Sequence, residues 1–206
     1  MQNDHYFSAN PTSSGAKRQV DLYLDDMALT LETDRSMFSP ERIDPGTHFL
    51  LAQAPRDAEP SSRIADVGCG YGPIACCLAR RHPRSEVIAV DINHRALDLC
   101  KRNAAALQLH NLTVVHADHL DPAARFDQIW SNPPIRIGKP ALHELMIQWL
   151  NRLNAHGVAY FVVNKNLGAD SLQRWLDSLG YTTTRLGSRQ AYRILEVIHG
   201  ASTVAN

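Results

Sequence analysis

A chain of 206 residues with 44% hydrophobic and 20% charged side chains has a globular composition and enough length for a substantial core. Its 21 basic and 21 acidic residues cancel, which excludes a uniformly basic nucleic-acid-binding surface and leaves only local clusters of positive charge. No apolar run reaches the length of a membrane helix, and the opening Met1-Gln2-Asn3-Asp4-His5 does not read as a secretion signal, so a cytoplasmic location is expected.

Taken in chain order, Val20-Leu22-Leu24 and Ala28-Leu29-Leu31 alternate around Asp25-Asp26 and predict an N-terminal hairpin. Asp44 followed by Pro45 predicts a helix to about Ala54, with Asp as its N-cap. Residues 55–62 read as a short polar linker, not a domain boundary. Strand 64–67, helix 72–81, strand 86–91 and helix 94–108 follow, the last with Ala96, Leu97, Cys100, Ala104 and Leu107 on its apolar face. Strands 112–116 and 126–131, helix 140–153, strand 157–164, helix 169–179 and strands 181–186 and 191–198 complete the order, and Ala201 to Asn206 is expected to fray. Alternating strands and helices imply an α/β fold with a mostly parallel seven-stranded sheet covered on both faces. No helix separates the last two strands, so they should pair antiparallel. One domain over 1–206 is expected, with an N-terminal extension at 1–55 and a core at 60–200.

The four cysteines, Cys69, Cys76, Cys77 and Cys100, form no C-x-x-C pair, and small buried thiols in a reducing compartment are expected. The ten histidines show no metal-ligand spacing, and no metal is expected.

Two stretches carry chemistry. Asp66-Val67-Gly68-Cys69-Gly70-Tyr71-Gly72 lies between an apolar strand and a helix rich in Ala, Cys and Leu. Glycines at alternate positions allow a tight turn and close approach of a ligand, and the following helix presents unpaired N–H groups. The spacing G-x-G-x-G differs from the dinucleotide G-x-G-x-x-G. Asp91, at the end of strand 86–91, can accept both hydroxyls of a ribose, and Asp118, just past strand 112–116, can accept from an adenine amino group. The second stretch is Asn132-Pro133-Pro134-Ile135, where two prolines stop further pairing after a strand. The Asn132 side-chain carbonyl and the Pro133 carbonyl form a pair of acceptors suited to an NH2 group whose nitrogen must attack an electrophile. Asn-Pro is also an ordinary turn starter, and it is the combination with the upstream site that is specific.

In these motifs the chain resembles the class I S-adenosylmethionine-dependent methyltransferases, and among them the small-domain family typified by ribosomal RNA small-subunit methyltransferase C. The resemblance runs through His5-Tyr6-Phe7-Ser8, Pro11, Phe38-Ser39, Ile43-Asp44-Pro45-Gly46-Thr47, the glycine loop to Pro73 and Val90-Asp91-Ile92-Asn93. It continues through Ser131 to Arg136, Gly138-Lys139, Gly168-Ala169 and Tyr192-Arg193. It implies a Rossmann-like methyltransferase sheet with an antiparallel last strand and S-adenosylmethionine as cofactor. Asp66, Gly68, Cys69, Gly70, Gly72, Asp91, Ile92, Asp118 and Asn132 would hold that cofactor, with Asp66 anchoring the loop and the methionine amine. Asn132, Pro133 and Pro134 would form the catalytic turn, and Ile135, Arg136 and Lys139 would meet substrate. It further implies methylation of a guanine N2 amine in small-subunit ribosomal RNA, with the RNA or the small subunit as partner.

Two departures from the family are visible. Many amino-methyltransferases place an aromatic residue after the two prolines, where this chain has Ile135, so Tyr6, Phe7 or Phe38 is the candidate to stack on the base. The family's best-known form also carries two tandem methyltransferase-like domains, where a single one is expected in these 206 residues. Of the basic clusters, Arg80-Arg81-His82-Pro83-Arg84 reads as solvated surface, Arg185-Arg189-Arg193 is a third cluster, and Arg136 with Lys139 is placed to touch phosphates. The alternatives are a methyltransferase acting on a protein amide or small molecule, and a non-catalytic nucleotide-binding or assembly module.

Overall fold

The computed structural model describes residues 17–200 apart from 58, 60, 61, 135 and 136. Tyr6, Phe7, Ile135, Arg136 and the terminal segment expected to fray therefore lie outside the described residues. The hairpin forms from β1 (Lys17–Tyr23) and β2 (Ala28–Asp34), with Leu22 opposite Leu29 and Val20 opposite Leu31. All four of these side chains are buried, as the alternation requires. Helix α1 (Pro45–Gln53) starts where the Asp44 side chain accepts from the Thr47 N–H at 3.0 Å.

The remaining strands form one sheet: β3 (Arg63–Val67), β4 (Glu86–Asp91), β5 (Leu112–His116), β6 (Phe126–Ser131), β7 (Leu153–Asn164), β8 (Tyr181–Arg189) and β9 (Tyr192–His199). Their order is β5-β4-β3-β6-β7-β9-β8, parallel except that β9 runs against both of its neighbours. This is the expected mostly parallel sheet with an antiparallel last strand. Successive residues alternate between two cores. Ile64, Val87 and Ala89 pack under α1, α2 (Pro73–Arg81) and α3 (His94–Ala106), whereas Ala65, Ile88 and Val90 join the residues of α4 (Lys139–Leu150) and α5 (Ala169–Ser178). No helix of the described residues is long and apolar enough to cross a membrane.

Strand β8 runs three residues further than expected, to Arg189, and α3 ends two residues earlier, at Ala106; the largest difference is at β7. Strand β7 begins at Leu153, where the sequence predicted the end of a helix, and Leu153 pairs with Phe126 across a register shift. The three-residue spacing of Leu150 and Leu153 reads as helix, and the pairing of Leu153 with Phe126 of β6 overrides it.

The hairpin shares its core with α1, α2 and α3, and polar contacts lock it there. The Arg81 guanidinium donates to both oxygens of Asp26, at 2.8 and 2.9 Å, and to the Leu51 carbonyl at 2.9 Å, with only 5% of its side chain exposed. Arg81 is thus a buried tie rather than the solvated surface expected of its cluster: a bidentate partner and a carbonyl satisfy its donors, so burial is tolerated. On α3, the Asn103 side chain accepts from the Glu32 N–H at 2.7 Å and donates to the carbonyls of Glu32 and Tyr71 at 2.9 and 2.8 Å. Asn103 is buried and thereby joins the hairpin to the glycine loop. Asn103→Ala strands three backbone groups and is expected to cost at least about 3 kcal/mol in urea unfolding, at roughly 1–3 kcal/mol per unsatisfied buried group. A loss below about 0.5 kcal/mol, the usual effect of a surface substitution, would show that the hairpin does not depend on this residue.

Candidate active site

The strand order reverses between β3 and β6, and in open α/β sheets the crevice beyond that reversal takes ligands. Both motifs meet there. The hydroxyl of Ser131, at the end of β6, donates to the carbonyl of Val67, at the end of β3, at 2.7 Å. The glycine loop and the Asn132 turn are therefore fixed against each other.

The loop is built from its own backbone. The N–H groups of Gly68 and Cys69 both donate to the Val90 carbonyl, at 2.8 and 3.1 Å, and Gly72 N–H donates to Cys69 O at 2.9 Å. Gly68, Gly70 and Gly72 take φ values of +71°, +57° and +93°, which side chains rarely adopt. A Cβ on Gly68 would meet nothing within 4 Å, so its outer side is open to a ligand. A Cβ on Gly72 would stand 2.6 Å from the Cys100 sulfur, so that glycine gives room to the core instead. All four cysteines are buried, and the Cys69 thiol points to the Gly70 carbonyl at 3.5 Å.

Asp66 is fully buried; one oxygen accepts from Ala75 N–H at 2.9 Å, and the other has no partner among the described residues. Burial pushes its carboxyl up to about 8, against the pull of the Ala75 N–H and with help from the negative charge of Asp91. That lies above the ordinary 3.8, so the fold holds a proton the unfolded chain releases. The contribution to stability is full below about pH 4 and is lost as pH rises through about 8. Urea titrations at about pH 5 and about pH 9 should therefore show wild type losing stability relative to Asp66→Asn at the higher pH. Parallel pH dependence of the two proteins would show that the carboxyl is already ionised in the fold.

Asp91 accepts from Gly70 N–H and Asn93 N–H, both at 2.9 Å, and is 8% exposed. Its carboxyl is raised by burial, partly offset by these backbone donors. Beside it Ile92 is 48% exposed, an apolar face at the lip of the crevice. The His116 ring holds that lip: its Nδ1 accepts from Asp118 N–H at 3.2 Å, so Nε2 carries the proton and donates to the Ile92 carbonyl at 3.0 Å. The Asp118 carboxylate itself is 82% exposed, at the outer end of the crevice.

Asn132 is half-buried, and its side-chain nitrogen donates to Asp44 Oδ2 at 2.8 Å and Thr47 Oγ1 at 3.0 Å. A carboxylate only accepts, so this contact fixes which way the amide faces: NH2 toward α1, carbonyl away from it. Asp44 also caps α1, and its neighbour Gly46 has no room for a Cβ, which would lie 2.6 Å from the Tyr192 ring. Pro133 is buried, and the Pro134 carbonyl accepts from Ile137 N–H at 3.1 Å, closing the turn. Lys139 is exposed at the start of α4. Phe38 is 47% exposed on the segment between Asp34 and Asp44. That segment is tied at both ends, by Asp44 to Asn132 and by the Asp34–Arg95 ion pair at 2.6 Å beside the Asn93 cap of α3. Asp44 and Thr47 as partners of Asn132 were missed from the sequence, where the same residues signal only a helix start. Among the described residues, no group of three or more His, Cys, Asp or Glu side chains is placed to hold a metal ion.

Residues 28–196 match the methyltransferase small domain family. The uncharacterized protein YbxB of Bacillus subtilis is 30% identical over 196 residues, covering 94% of this chain and 97% of its own length. Ribosomal RNA small subunit methyltransferase C of Stutzerimonas stutzeri is 31% identical over 198 residues, and that of Pseudomonas entomophila 35% over 136. The matched region spans 58% and 40%, respectively, of those two relatives. Among solved structures, the T. thermophilus 16S rRNA N2 G1207 methyltransferase RsmC, in complex with AdoMet and guanosine, has the same fold. Its TM-score is 0.76 at 24% identity, covering 93% of this chain and 52% of that one.

Proposed function

The chain belongs to the methyltransferase small domain family and depends on S-adenosylmethionine, and from that premise we propose that it methylates the N2 amine of a guanine in small-subunit ribosomal RNA. One observation carries the reading of the acceptor group: the Asn132 amide is turned by Asp44 and Thr47 so that its carbonyl oxygen is left for an NH2 donor.

The crevice fits the cofactor. Asp66 keeps an unpartnered carboxyl oxygen for the methionine amine, and the bare face of Gly68 admits the methionine chain. Cys69, Gly70 and Gly72 shape the loop around it through their backbone. Asp91 takes the ribose hydroxyls on its remaining lone pairs, Ile92 covers the adenine face, and Asp118 meets the adenine amino group. When bound, S-adenosylmethionine supplies a methyl group already activated by a sulfonium.

The work left to the protein is positional. A guanine amine is a poor nucleophile because its lone pair is delocalised into the ring. Asn132 Oδ1 and the Pro133 carbonyl accept its two N–H bonds, favour a more tetrahedral nitrogen and direct the lone pair. Pro133 and Pro134 hold these acceptors rigid. Asp44 and Thr47 are positioning residues that act through Asn132. The base must be unpaired or extruded to present this edge. Phe38 supplies an aromatic surface to the base, and Lys139 meets phosphates.

The test is transfer of labelled methyl from S-adenosylmethionine to deproteinised small-subunit RNA, to small subunits and to ribosomal proteins. Label in RNA, whether free or within the subunit, is expected. Label confined to protein would replace the guanine by an amide acceptor.

A further inference from the structure

We propose that the edge of the sheet running outward from Asn132 is the track for the RNA strand flanking the target base, with Tyr192, Arg189, Arg42 and Lys165 lining it. This rests on the guanine reading above and adds where the rest of the strand lies. It also resolves a tension in the composition, because a chain of zero net charge needs its positive charge gathered in one place to hold RNA.

The strand order carries the argument. Going outward from β6, the same end of the sheet presents Asn132, then Asn164-Lys165 at the end of β7, Tyr192 at the start of β9 and Arg189 at the end of β8. Asn164, Tyr192 and Arg189 stand directly opposite one another across the three strands and so project from one face. That face is the α1 side, since Ile194, two residues beyond Tyr192, packs in the core that includes α1.

Ser131 pairs with Phe161, and β7 continues three residues further to Asn164. The tip of β7, β9 and β8 therefore rises roughly 10 Å beyond the end of β6, as a wall beside the Asn132 turn. Three strand spacings separate β6 from β8, about 14 Å. At about 3.4 Å per stacked nucleotide this gives room for roughly four nucleotides.

The chemistry of the wall suits a nucleic acid. The Tyr192 ring lies against Gly46, two residues from the Asp44 that holds Asn132, and is partly exposed. Arg42 bears on the Tyr192 hydroxyl from the segment before α1. Arg42, Lys165 and Arg189 are exposed, and among the described residues none of them forms an ion pair. The nearby carboxylates are engaged elsewhere: Glu41 with Arg18 at 3.1 Å, Asp170 with Arg185 at 2.7 Å, and Asp44 with Asn132. An aromatic ring flanked by guanidinium groups offers a stacking platform to a base and charge to the phosphates on either side. An acidic peptide would use only the charge.

The experiment is salt-dependent binding of in-vitro-transcribed small-subunit RNA to wild type and to the Arg42→Glu/Arg189→Glu variant. Thermal melting and cofactor calorimetry are run alongside, to show that fold and crevice are intact. Both side chains are exposed, so the fold should tolerate the change. The variant should bind RNA at least about 10-fold more weakly, with a salt slope shallower by about 0.7 for each phosphate it no longer neutralises. Unchanged affinity and slope overturn the track. So does displacement of the RNA from wild type by polyglutamate of matched charge as readily as by competitor RNA, since the edge would then be a general acidic-polymer site. Failure of the guanine reading looks different: the wild-type protein would bind RNA with this charge dependence and transfer no methyl to it.

Discussion

Alanine at position 132 should lower methyl transfer to RNA about 10³-fold while leaving S-adenosylmethionine affinity within about fivefold. The loss is large because the substitution removes the acceptor that orients the attacking nitrogen and also releases the turn from α1. Asp44→Ala should cost roughly 10²-fold, since it leaves the acceptor in place but free to rotate. In the Asn132→Ala background it should cost almost nothing more, because both changes act on one group. Asn132→Asp gives a sharper version. It sets a second carboxylate where a nitrogen now lies 2.8 Å from Asp44 Oδ2, and two carboxylates at that distance resist sharing a site. Adding Asp44→Asn removes the second charge and lets the new amide donate to the carboxylate at position 132, which still presents an oxygen to the substrate, at the cost of the Thr47 N–H cap that uses the same Oδ2. The double variant should therefore recover much of the activity that Asn132→Asp loses. Additive losses would show that Asp44 serves only as the helix cap.

Asp91→Ala should weaken S-adenosylmethionine binding about 10²- to 10⁴-fold, since hydrogen bonds to a charged acceptor contribute roughly 1.5–3 kcal/mol each and two ribose hydroxyls lose theirs. The same substitution strips Gly70 N–H and Asn93 N–H of their partner, so the glycine loop loses its tether to β4. Asp91→Asn keeps one acceptor and should fall between. Calorimetry gives the affinities directly. At saturating cofactor the turnover of Asp91→Ala should recover most of its loss, which separates a binding residue from a catalytic one. A change in affinity below about threefold would place the ribose elsewhere.

Local pattern carried much of the fold. Strands β4, β5 and β6 begin and end where the alternation of apolar residues and the flanking prolines, glycines and asparagines put them. The Asp44-Pro45 helix start is present as expected, with the side chain on Thr47 N–H. At Leu150 and Leu153 the three-residue spacing pointed to a continued helix, and the pairing of Leu153 with Phe126 made the second of them a strand residue instead. The glycine loop and the Asn132 turn were legible because unusual backbone demands leave unusual residues.

What was not legible is the set of distant partners. Asp44 and Asn132 are 88 residues apart, Asn103 and Glu32 are 71, and Arg81 and Asp26 are 55. Each of these polar residues has an ordinary local explanation, as a cap, a helix residue or a surface charge, and only the fold selects the other one. The acidic strand ends show the same limit. Asp91 ends its strand and Asp118 lies two residues past the next one, yet their sequence signals look alike; one is 8% exposed because the N–H groups of Gly70 and Asn93 engage it, and the other has a side chain 82% exposed.

The most direct measurement is nucleoside analysis of small-subunit RNA after reaction with S-adenosylmethionine, comparing wild type with Asn132→Ala. N2-methylguanosine formed by wild type and absent with the variant is the expected result. A methyl group on another atom, or equal yields from the two proteins, would contradict the assignment of Asn132 as the residue that presents a guanine amine for methylation.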